Sequence, residues 1–472
     1  MHACVRQIHG YNMIAHDSYK SIPDFYAGKT VFITGGTGFL GKVLVEKLVY
    51  SCPALNKVYV LIRETPKQNV LQKLKQLLDS PIFTRLKNER PEDLNKIVPI
   101  AGDLCKPNLG LEPSDEEKLI DEVSVVIHSG ATVKFNDALE YAMKINYQGT
   151  EQVMRLCRKI KNIKVFVYIS TTYAHTQLDI IEEVIYPPPA RVAEVYETIK
   201  RHGNNEKNIS KILNGQPNTY AFTKALAENL VAENHGDIPT VVIRPSIITA
   251  GITEPLEGWV DTWNGATGIM HLIGKGLCRV LPGNEQNILD LIPVDFVCNL
   301  ALVAAAKCNS SKKVTILNSC SGSCNPITLK QFCSLYCNVA VKRKSNVFPF
   351  PYLILFNPHI WMLKVMSYFL MTMAGLADFV MRIFGKQTMF FRTQSKLYSI
   401  VKTLRCFIFK SWVFKCERVC ALNAELSDLD RAVFNCDPST IHWEQYAQIY
   451  FDGVTKFLLE KPKNLRTDAS NN

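Results

Sequence analysis

The chain has 472 residues, of which 47% are hydrophobic, and a formal net charge of +11 at pH 7. A chain of this length and apolar content can bury a large core and has room for two or three domains. The positive charge is spread along the sequence without a long run of Lys and Arg, which argues against a nucleic-acid-binding arm. Anionic small molecules or a membrane surface fit this charge balance better.

The cysteines predict an intracellular protein without a metal site. There are 15 of them, an odd number, and the N-terminal segment has no apolar signal core, so we expect reduced thiols in the cytosol. No cysteine pair has zinc-ligand spacing with histidines nearby. The pairs Cys320/Cys324 and Cys333/Cys337 have helical spacing, and we interpret them as small packing residues.

From about residue 29, apolar runs rich in Val and Ile alternate with helical segments. The predicted strands are, in chain order, KTVFITGG, KVYVLIR, KIVPIAGD, SVVIHSGA, KVFVYIST, PTVVIRPS and KVTILNS. The segment FLGKVLVEKLVY, directly after the first strand, predicts a helix. Continuous apolar strands alternating with helices are typical of a parallel sheet covered on both faces, so the sequence predicts an α/β fold with a Rossmann-like doubly wound sheet. Ligands of such sheets bind beyond the carboxyl ends of the strands.

A glycine-rich turn, VFITGGTGFLG, leads from the first predicted strand into the first predicted helix. Glycines allow a tight turn and a close approach of the backbone to a pyrophosphate, and the helix N-terminus supplies donors and partial positive charge. The spacing satisfies G-x-G-x-x-G and predicts a dinucleotide site. The residues assigned to it are Thr34, Gly35, Gly36, Thr37, Gly38, Phe39, Leu40 and Gly41.

The ends of the second and third strands select the cofactor. Arg63 offers a planar cation to a 2′-phosphate, whereas an acidic residue there would bind the ribose of NAD, so NADPH is favoured although Glu64 follows. The alternative for Arg63 is a solvated charge at a strand end. Asp103 ends the third strand and could accept a hydrogen bond from the adenine amino group, or it could cap the next turn.

A Tyr-x-x-x-Lys pattern places a phenol and an amine on one face of a helix, where a nearby ammonium favours the phenolate. The sequence contains three copies: Tyr196/Lys200, Tyr220/Lys224 and Tyr398/Lys402. Only the second lies among small residues that can pack on a sheet and is followed by a predicted strand. We therefore predict Tyr220 and Lys224 as catalytic residues.

A hydroxyl partner is predicted at the carboxyl end of the strand VFVYIST. Ser170, Thr171 and Thr172 follow one another there, and Thr171 is favoured as the third catalytic residue. The alternative is ordinary capping of the strand end.

The composition of the sequence changes near residue 340, where a stretch rich in aromatic residues and methionine begins. Charges at Lys364, Asp378 and Arg382 leave an uncharged stretch, 365–377, that is shorter than the roughly 20 residues of a transmembrane helix. A helical second domain or an interfacial helix is therefore favoured over a spanning one. The predicted domains are an N-terminal extension (1–25), a cofactor-binding Rossmann domain (26–325), a helical C-terminal domain (326–463) and a disordered polar tail (464–472).

Taken together, these motifs resemble the extended short-chain dehydrogenase/reductase superfamily, and in detail the alcohol-forming fatty acyl-CoA reductases, insect members especially. The similar segments are, in order, TGGTGFLGKVLVEKL, VLIR, HSGATVKF, IEEVIYPPP, NTYAFTKALAE, IRPSII, EPLEGWVDTWNG and DLIPVD. WEQYAQIYFDGVTKFLLEKP is similar to the family's C-terminal domain, so the resemblance covers residues from about 24 to 462.

The resemblance implies NADPH-dependent reduction of long-chain acyl-CoA, through an aldehyde, to a fatty alcohol. It matches Gly35, Gly38 and Gly41 to the cofactor glycines, Tyr220 and Lys224 to the catalytic pair, and Thr171 to the hydroxyl of the triad. It also implies a place on the cytosolic face of endoplasmic-reticulum or peroxisomal membranes. Many insect members carry a transmembrane helix after the C-terminal domain, whereas this sequence continues into a polar tail, which argues against integral attachment.

Three other interpretations stay open at this point. An extended reductase or epimerase for sugar nucleotides or sterols would keep the fold and change the substrate, although such substrates do not require a long apolar second domain. A catalytically idle cofactor-binding or membrane-scaffold protein would have the same motifs. Reduction could also stop at the aldehyde. The aromatic- and methionine-rich domain could form an acyl-chain tunnel, with plain core packing as the alternative.

Overall fold

The computed structural model describes residues 19–345, 354–357, 359–388 and 390–460. Most of the predicted N-terminal extension and the whole predicted tail lie outside the described residues. The strands are β1 (Thr30–Thr34), β2 (Lys57–Ile62), β3 (Ile97–Ala101), β4 (Val123–His128), β5 (Val165–Ile169), β6 (Ile180–Ile181), β7 (Thr240–Pro245), β8 (Ile247–Thr249), β9 (Val280–Pro282), β10 (Leu291–Pro293), β11 (Thr315–Ser319), β12 (Leu355–Asn357) and β13 (Val413–Phe414).

Seven of these strands form one parallel sheet in the order β11-β7-β5-β4-β1-β2-β3. They are the seven predicted strands, so the predicted sheet is confirmed. The residues of β1, β4, β5 and β7 are all buried, which explains their continuous apolar sequences. The chain runs outward from β1 to β3 and then returns to β4 on the other side. This reversal opens a crevice at the carboxyl ends of β1 and β4, where a ligand can bind.

Helices cover both faces of the sheet, and further helices form the C-terminal region. In chain order the helices are α1 (Ile22–Tyr26), α2 (Phe39–Ser51), α3 (Val70–Leu78), α4 (Thr84–Glu89), α5 (Pro113–Glu122), α6 (Leu139–Ala142), α7 (Gly149–Lys159), α8 (Val192–His202), α9 (Glu206–Ile212), α10 (Thr219–Asn234), α11 (Ala266–Gly274), α12 (Val294–Lys307), α13 (Leu329–Lys342), α14 (Ile360–Ile383), α15 (Phe390–Phe409), α16 (Glu417–Ala424), α17 (Asp428–Phe434) and α18 (Trp443–Val454).

Alternate residues of β1 show how the two faces are packed. Val31 and Ile33 belong to the same apolar cluster as residues of α2 and α12, whereas Phe32 belongs to a cluster with α7 and α10. This alternation follows from the two-residue period of a strand, which points successive side chains to opposite faces. The sheet is therefore doubly wound, as predicted.

The C-terminal helical region is joined to the sheet region by two short pairs of strands. β12 pairs with β9, and β13 pairs with β6. α13 and α18 pack on α11 in an apolar cluster that also includes residues of β9, β10 and α12. The predicted domain boundary between residues 325 and 326 stays a prediction, since the two regions are in contact with each other on both sides of it.

α14 and α15 form an antiparallel hairpin. Asp378 on α14 accepts hydrogen bonds from the backbone N–H groups of Phe390 and Phe391 at the start of α15 (3.0 and 2.9 Å). The charge that divides the apolar stretch in the sequence therefore caps the neighbouring helix. Among the described residues, one stretch, Lys364–Ile383, is long and apolar enough to cross a membrane by length and composition.

Candidate active site

A cavity of about 890 Å³ lies at the carboxyl ends of the sheet strands. One end is polar and is lined by the glycine turn together with Arg63 and Asp103. Thr171, Tyr220 and Lys224 line it further along. The other end is apolar and is formed by segments distant in sequence. All three predicted catalytic residues therefore lie in the same cavity as most of the predicted cofactor residues.

The glycine turn has no room for side chains. Gly35 has φ +73°, and a Cβ there would lie 2.7 Å from the backbone nitrogen of Gly130. A Cβ on Gly41 would lie 2.1 Å from the carbonyl oxygen of Gly35. Gly38 is the N-cap of α2 and makes no side-chain cap, so donors at this helix terminus face the cavity side of the turn. These features fit the pyrophosphate of a dinucleotide.

Two of the predicted cofactor residues support the turn from behind instead of lining the cavity. Gly36 packs against Val60, since a Cβ there would lie 2.5 Å from the Val60 Cγ1 atom. Thr34 is buried; its hydroxyl accepts a hydrogen bond from the Gly130 N–H (3.2 Å) and lies 2.6 Å from His128 Nδ1. The prediction placed both residues at the cofactor because the motif alone does not say which side of the turn faces the ligand.

His128, the last residue of β4, continues this chain of hydrogen bonds into the core. Its Nε2 atom lies 3.0 Å from the Thr150 hydroxyl, which donates to the carbonyl of Asn146 (2.6 Å). Burial and, to a smaller extent, the charge of Lys224 lower the pKa of His128 to about 3. A neutral imidazole that accepts at Nδ1 and donates at Nε2 satisfies every member of the chain.

Arg63 and Asp103 face each other at the polar end of the cavity. Arg63 is exposed, and its pKa is raised by a hydrogen bond to Tyr141 and by the charge of Asp103, against the effect of burial. Asp103 accepts from the backbone N–H of Cys105 (2.9 Å), which is the turn-capping alternative. Glu64 does not line the cavity and accepts instead from the N–H of Val70 (3.3 Å).

Tyr220 and Thr171 come together from different elements. Tyr220 lies in the first turn of α10, and Thr171 follows β5. Burial raises the pKa of Tyr220 to about 12, while a hydrogen bond from Thr171 opposes this shift and the charge of Glu228 adds to it. The phenol is therefore protonated at neutral pH, in a position to donate.

The hydroxyls beside Thr171 are occupied elsewhere. Ser170 donates to Glu228, and Thr172 donates to the carbonyl of Pro245 (3.3 Å) without lining the cavity. Thr171 donates to the same Pro245 carbonyl (3.4 Å) and accepts from the N–H of Tyr173 (3.2 Å), so it caps the next turn as well as facing Tyr220. The capping alternative and the predicted role are thus compatible.

Lys224 lies one helical turn after Tyr220 and is 2% exposed. Its ammonium donates to the carbonyl of Ile169 (2.6 Å) and lies 4.1 Å from the ring centre of Tyr168. Burial lowers the pKa of Lys224 to about 7, although the charge of Glu228 raises it. The amine is therefore close to its midpoint at neutral pH in the absence of a ligand.

Glu228, one further turn along the same face of α10, is a residue that the sequence reading missed. Arg244 donates to both carboxylate oxygens of Glu228, to Oε1 at 3.0 Å and to Oε2 at 2.7 Å, and His175 Nε2 lies 2.9 Å from Oε2. These two neighbours hold the pKa of Glu228 well below its usual range despite burial. The signal in the sequence is the i, i+4, i+8 spacing of Tyr220, Lys224 and Glu228.

Two further polar contacts that were not predicted shape the cavity. Lys42 on α2 and Asp261, which both line it, form an ion pair of 2.6 Å. Asn146 donates to Thr223 on α10 (3.0 Å) and accepts from the N–H of Thr132 (2.9 Å), so it holds the loop after β4, which lines the cavity, against α10. Asn146 lies in a π-helical turn, a distortion frequent at functional sites.

The other two Tyr-x-x-x-Lys pairs lie outside this cavity. Tyr196 on α8 accepts a hydrogen bond from the Gln148 side chain (3.0 Å) at the surface. Tyr398 and Lys402 on α15 line a separate cavity of about 310 Å³. The choice of Tyr220/Lys224 from sequence context agrees with this placement.

The apolar end of the cavity comes mostly from the Rossmann region. It is lined by Ile247, Ile248, Ile269, Met270, Ile273, Leu281, Leu289, Leu329, Cys333, Phe407 and Ile408. The predicted C-terminal domain contributes only the last four of these. α14, the richest in methionine and aromatic residues, does not line this cavity and exposes Phe369 and Met373. The C-terminal domain as an acyl-chain tunnel therefore stays a prediction, to which four residues of that domain contribute and α14 does not.

Comparisons with known proteins agree with this architecture. Two models of the male sterility protein family match, its NAD-binding model over residues 33–301 and its Sterile model over residues 368–461. The terminal reductase domain of the myxalamid biosynthetic pathway is similar in fold, with a TM-score of 0.60, 20% identity and coverage of 92% of each chain. A reductase domain of a nonribosomal peptide synthetase from Mycobacterium tuberculosis gives a TM-score of 0.56 at 16% identity, over 90% of this chain and 91% of that one.

Similarity to curated proteins extends over nearly the whole chain. Fatty acyl-CoA reductase 1 of Rattus norvegicus is 34% identical over 447 residues, which are 93% of this chain and 87% of that protein. The Xenopus laevis protein of the same name is 35% identical with the same coverage. Fatty acyl-CoA reductase 2 of Mus musculus is 31% identical over 93% of this chain and 86% of its own length. The chain therefore belongs to the fatty acyl-CoA reductase family.

Proposed function

We propose that the protein reduces a long-chain acyl-CoA to a primary fatty alcohol, releases CoA, and uses NADPH as the reductant. The observation that carries this proposal is the position of Tyr220, Thr171 and Lys224 between a glycine-walled polar end and an apolar end of one cavity. The polar end suits a dinucleotide, and the apolar end suits an alkyl chain. Membership of the fatty acyl-CoA reductase family supports the same substrate.

NADPH, when bound, supplies the hydride that reduces the carbonyl carbon. Tyr220 donates its phenolic proton to the oxygen on which negative charge develops, and Thr171 hydrogen-bonds to that oxygen. The raised pKa of Tyr220, about 12, keeps the phenol protonated until that moment. Lys224, when protonated, stabilises the phenolate that remains and holds the nicotinamide ribose.

Two rounds of this chemistry balance the reaction. In the first, hydride and proton convert the thioester to a hemithioacetal, whose C–S bond breaks to give the aldehyde and the CoA thiol. In the second, a further hydride and a further proton through Tyr220 give the alcohol. Keeping the aldehyde in the apolar end between the rounds makes the alcohol the product.

The buried network behind α10 positions these groups. Glu228 is fixed by Arg244 and His175, and it is the counter-charge for Lys224 within the core. The ring of Phe135 lies beside Tyr220, with ring centres 5.9 Å apart, and the ring of Phe407 lies on the ring of Phe135, with ring centres 5.1 Å apart. These rings keep water from the phenol and form the start of the apolar end.

Arg63 supports NADPH as the reductant in preference to NADH. Its exposed guanidinium lines the polar end, whereas Glu64 is turned to the N-terminus of α3. Arg63→Ala should raise the KM for NADPH roughly tenfold or more, the loss expected for one hydrogen bond to a charged group, and should leave the KM for NADH nearly unchanged. Lys67→Ala, an exposed charge that does not line the cavity, is the matched control. Equal effects of Arg63→Ala on both cofactors would remove this assignment.

The α14–α15 hairpin supports attachment to the cytosolic face of an endoplasmic-reticulum or peroxisomal membrane. α14 exposes large apolar side chains, among them Trp361, Phe369, Phe379 and Ile383. An exposed apolar surface of this kind marks an interaction site, and a membrane is also where a long-chain alcohol is delivered.

The deciding experiment supplies purified protein with palmitoyl-CoA and NADPH and follows nicotinamide oxidation together with the lipid products by gas chromatography. Hexadecanol formed with two NADPH oxidised per thioester is the expected result. Accumulation of hexadecanal would mean that the aldehyde leaves before the second round. NADPH binding without oxidation over a panel of chain lengths would instead identify an idle site.

A further inference from the structure

Three thiols converge at a place distant from the active-site cavity. Cys324 lies in the loop that follows edge strand β11, Cys416 is the N-cap of α16, and Cys420 lies one turn further along α16. Their sulfur atoms all lie within 4.8 Å of one another. The sulfurs of Cys324 and Cys416 are 3.7 Å apart although the residues are 92 positions apart in sequence.

The three cysteines pack in or against the main apolar cluster, so their burial alone does not set them apart. Cys333 and Cys337 on α13 have the same four-residue spacing as Cys416 and Cys420 and pack in another apolar cluster, yet among the described residues they belong to no such group of converging ligand atoms. The cysteines of the described residues are free, and 3.7 Å is far from the roughly 2.05 Å of a disulfide bond.

The 3.7 Å between the sulfurs of Cys324 and Cys416 matches the spacing in a tetrahedral thiolate site. A zinc–sulfur bond of about 2.3 Å places the sulfurs at two corners of a tetrahedron about 3.8 Å apart. Cys416 makes no side-chain cap of α16, and its sulfur lies beside those of Cys324 and Cys420 and 3.1 Å from the hydroxyl of Ser323. The N-terminus of α16 also favours thiolates over thiols at this position.

We propose that Cys324, Cys416 and Cys420 bind one thiophilic d¹⁰ metal ion, such as Zn²⁺. Two residues beside the cluster can supply a fourth ligand. Cys320 is buried and its thiol donates to the carbonyl of Phe414 (3.3 Å), two residues before Cys416, and Asp437 has a carboxylate oxygen 4.0 Å from the sulfur of Cys420. Each coordinating thiol releases its proton to solvent as the metal binds.

The site would join two parts of the chain that the sequence places far apart. It links the loop after β11, at the edge of the Rossmann sheet, to α16 of the C-terminal region. Half-buried Cys324 and Cys420 leave the site open to solvent on one side, so a metal ion can reach it. The role is structural, because none of these residues lines the active-site cavity. The sequence analysis expected no metal site because it compared only near neighbours in sequence, whereas Cys324 and Cys416 are 92 positions apart.

The test measures metal in the full-length protein. Protein purified from zinc-supplemented medium should contain one zinc per chain by mass spectrometry, and the metal-free protein should give the visible bands of tetrahedral cobalt and a sulfur-to-cobalt charge-transfer band when Co²⁺ is added. Zinc should also raise the Tm. The intensity of the charge-transfer band counts the thiolates and so distinguishes Cys320 from Asp437 as the fourth ligand.

Variants separate the site from general cysteine effects. Cys416→Ser and Cys420→Ser should each abolish the cobalt bands and the zinc-dependent rise in Tm, whereas Cys333→Ser should keep both. If Cys416→Ser does not fold, the half-buried Cys420 still provides the comparison. Wild-type protein that binds neither metal, a disulfide between Cys324 and Cys416 in protein purified under reducing conditions, or an unchanged cobalt spectrum in Cys420→Ser would each overturn the proposal.

Discussion

Helices α10 and α14 depart in opposite directions from the usual distribution of residues in a folded protein. α10 buries charged side chains: Lys224 is 2% and Glu228 1% exposed. α14 exposes apolar ones: Phe369 is 64% and Phe379 63% exposed. Buried charges and large exposed apolar patches are the two arrangements that demand an explanation. In α10 the explanation lies inside the chain, because Arg244, His175 and the Ile169 carbonyl satisfy the charges.

For α14 the explanation lies outside the described chain. Its neighbour α15 covers one side of α14, and the apolar side chains on the other side are not covered by described residues. Where buried charges are paired within the chain, as on α10, removing one partner should lower the stability of the fold. Where apolar side chains are exposed, as on α14, substitutions should change the stability in solution little. The two helices therefore predict different effects of mutation, which the following experiments measure.

The largest effect is expected for the group on α10 that faces the cavity. Tyr220→Phe removes the proton donor and should lower turnover by roughly 10²–10⁴-fold, the usual contribution of general acid catalysis. NADPH binding, measured by fluorescence titration, should be unchanged because the glycine turn is not altered. Tyr196→Phe, in the pair on α8 outside the cavity, should keep full activity. Normal turnover by Tyr220→Phe would refute the assigned role.

The next largest effect is on stability. Glu228→Gln removes one partner of a buried ion pair and leaves Arg244 uncompensated, so the free energy of unfolding in urea should fall by about 3–5 kcal/mol. Glu233→Gln changes an exposed carboxylate on the same helix and should have little effect. Because the pKa of Glu228 is depressed in the folded state, its contribution is present above the ordinary value of 4.5 and declines as the pH falls below it. The difference between wild type and variant should shrink in that range.

Lys224 should show the opposite dependence on pH. Its pKa falls from 10.5 in the unfolded chain to about 7 in the folded protein, so the unfolded state binds more protons between these two values and stability rises with pH across that window. Lys224→Met should remove this rise, a change of a few kcal/mol since one pKa unit corresponds to about 1.4 kcal/mol. Urea unfolding at several pH values measures it, with the exposed Lys200→Met as the control. An identical pH profile for wild type and Lys224→Met would show that the amine is not desolvated.

The contrast between the helices also marks what the sequence could predict. The glycine turn and the pair Tyr220/Lys224 were readable because the interacting groups lie within one element or two consecutive ones. The apolar end of the cavity was not, since its lining comes from segments between Ile247 and Ile408 that meet only in the fold. For Glu228, the sequence shows the helical spacing from Lys224, but it does not show the partners Arg244 and His175, which lie on other elements.

The role of Asp378 could not be predicted for the same reason. In the sequence it bounds the uncharged stretch 365–377, and in the structure it caps α15 from within a continuous α14. A capping partner in another helix is a tertiary contact, and local patterns carry no information about it. Fold class depends on repeated local patterns and was therefore predicted more fully than the site.

The smallest effect on stability, but a clear one on binding, is expected on α14. Phe369→Glu replaces an exposed ring, so the free energy of unfolding should change by no more than about 0.5 kcal/mol. If the ring inserts into a membrane, the substitution removes about 1.5–3 kcal/mol of apolar burial, and sedimentation with phosphatidylcholine vesicles should weaken at least tenfold. Leu429→Glu, on α17 and 83% exposed, should leave vesicle binding unchanged. A loss of stability comparable to that of Glu228→Gln would mean that α14 is buried against protein, and the contrast with α10 would then disappear.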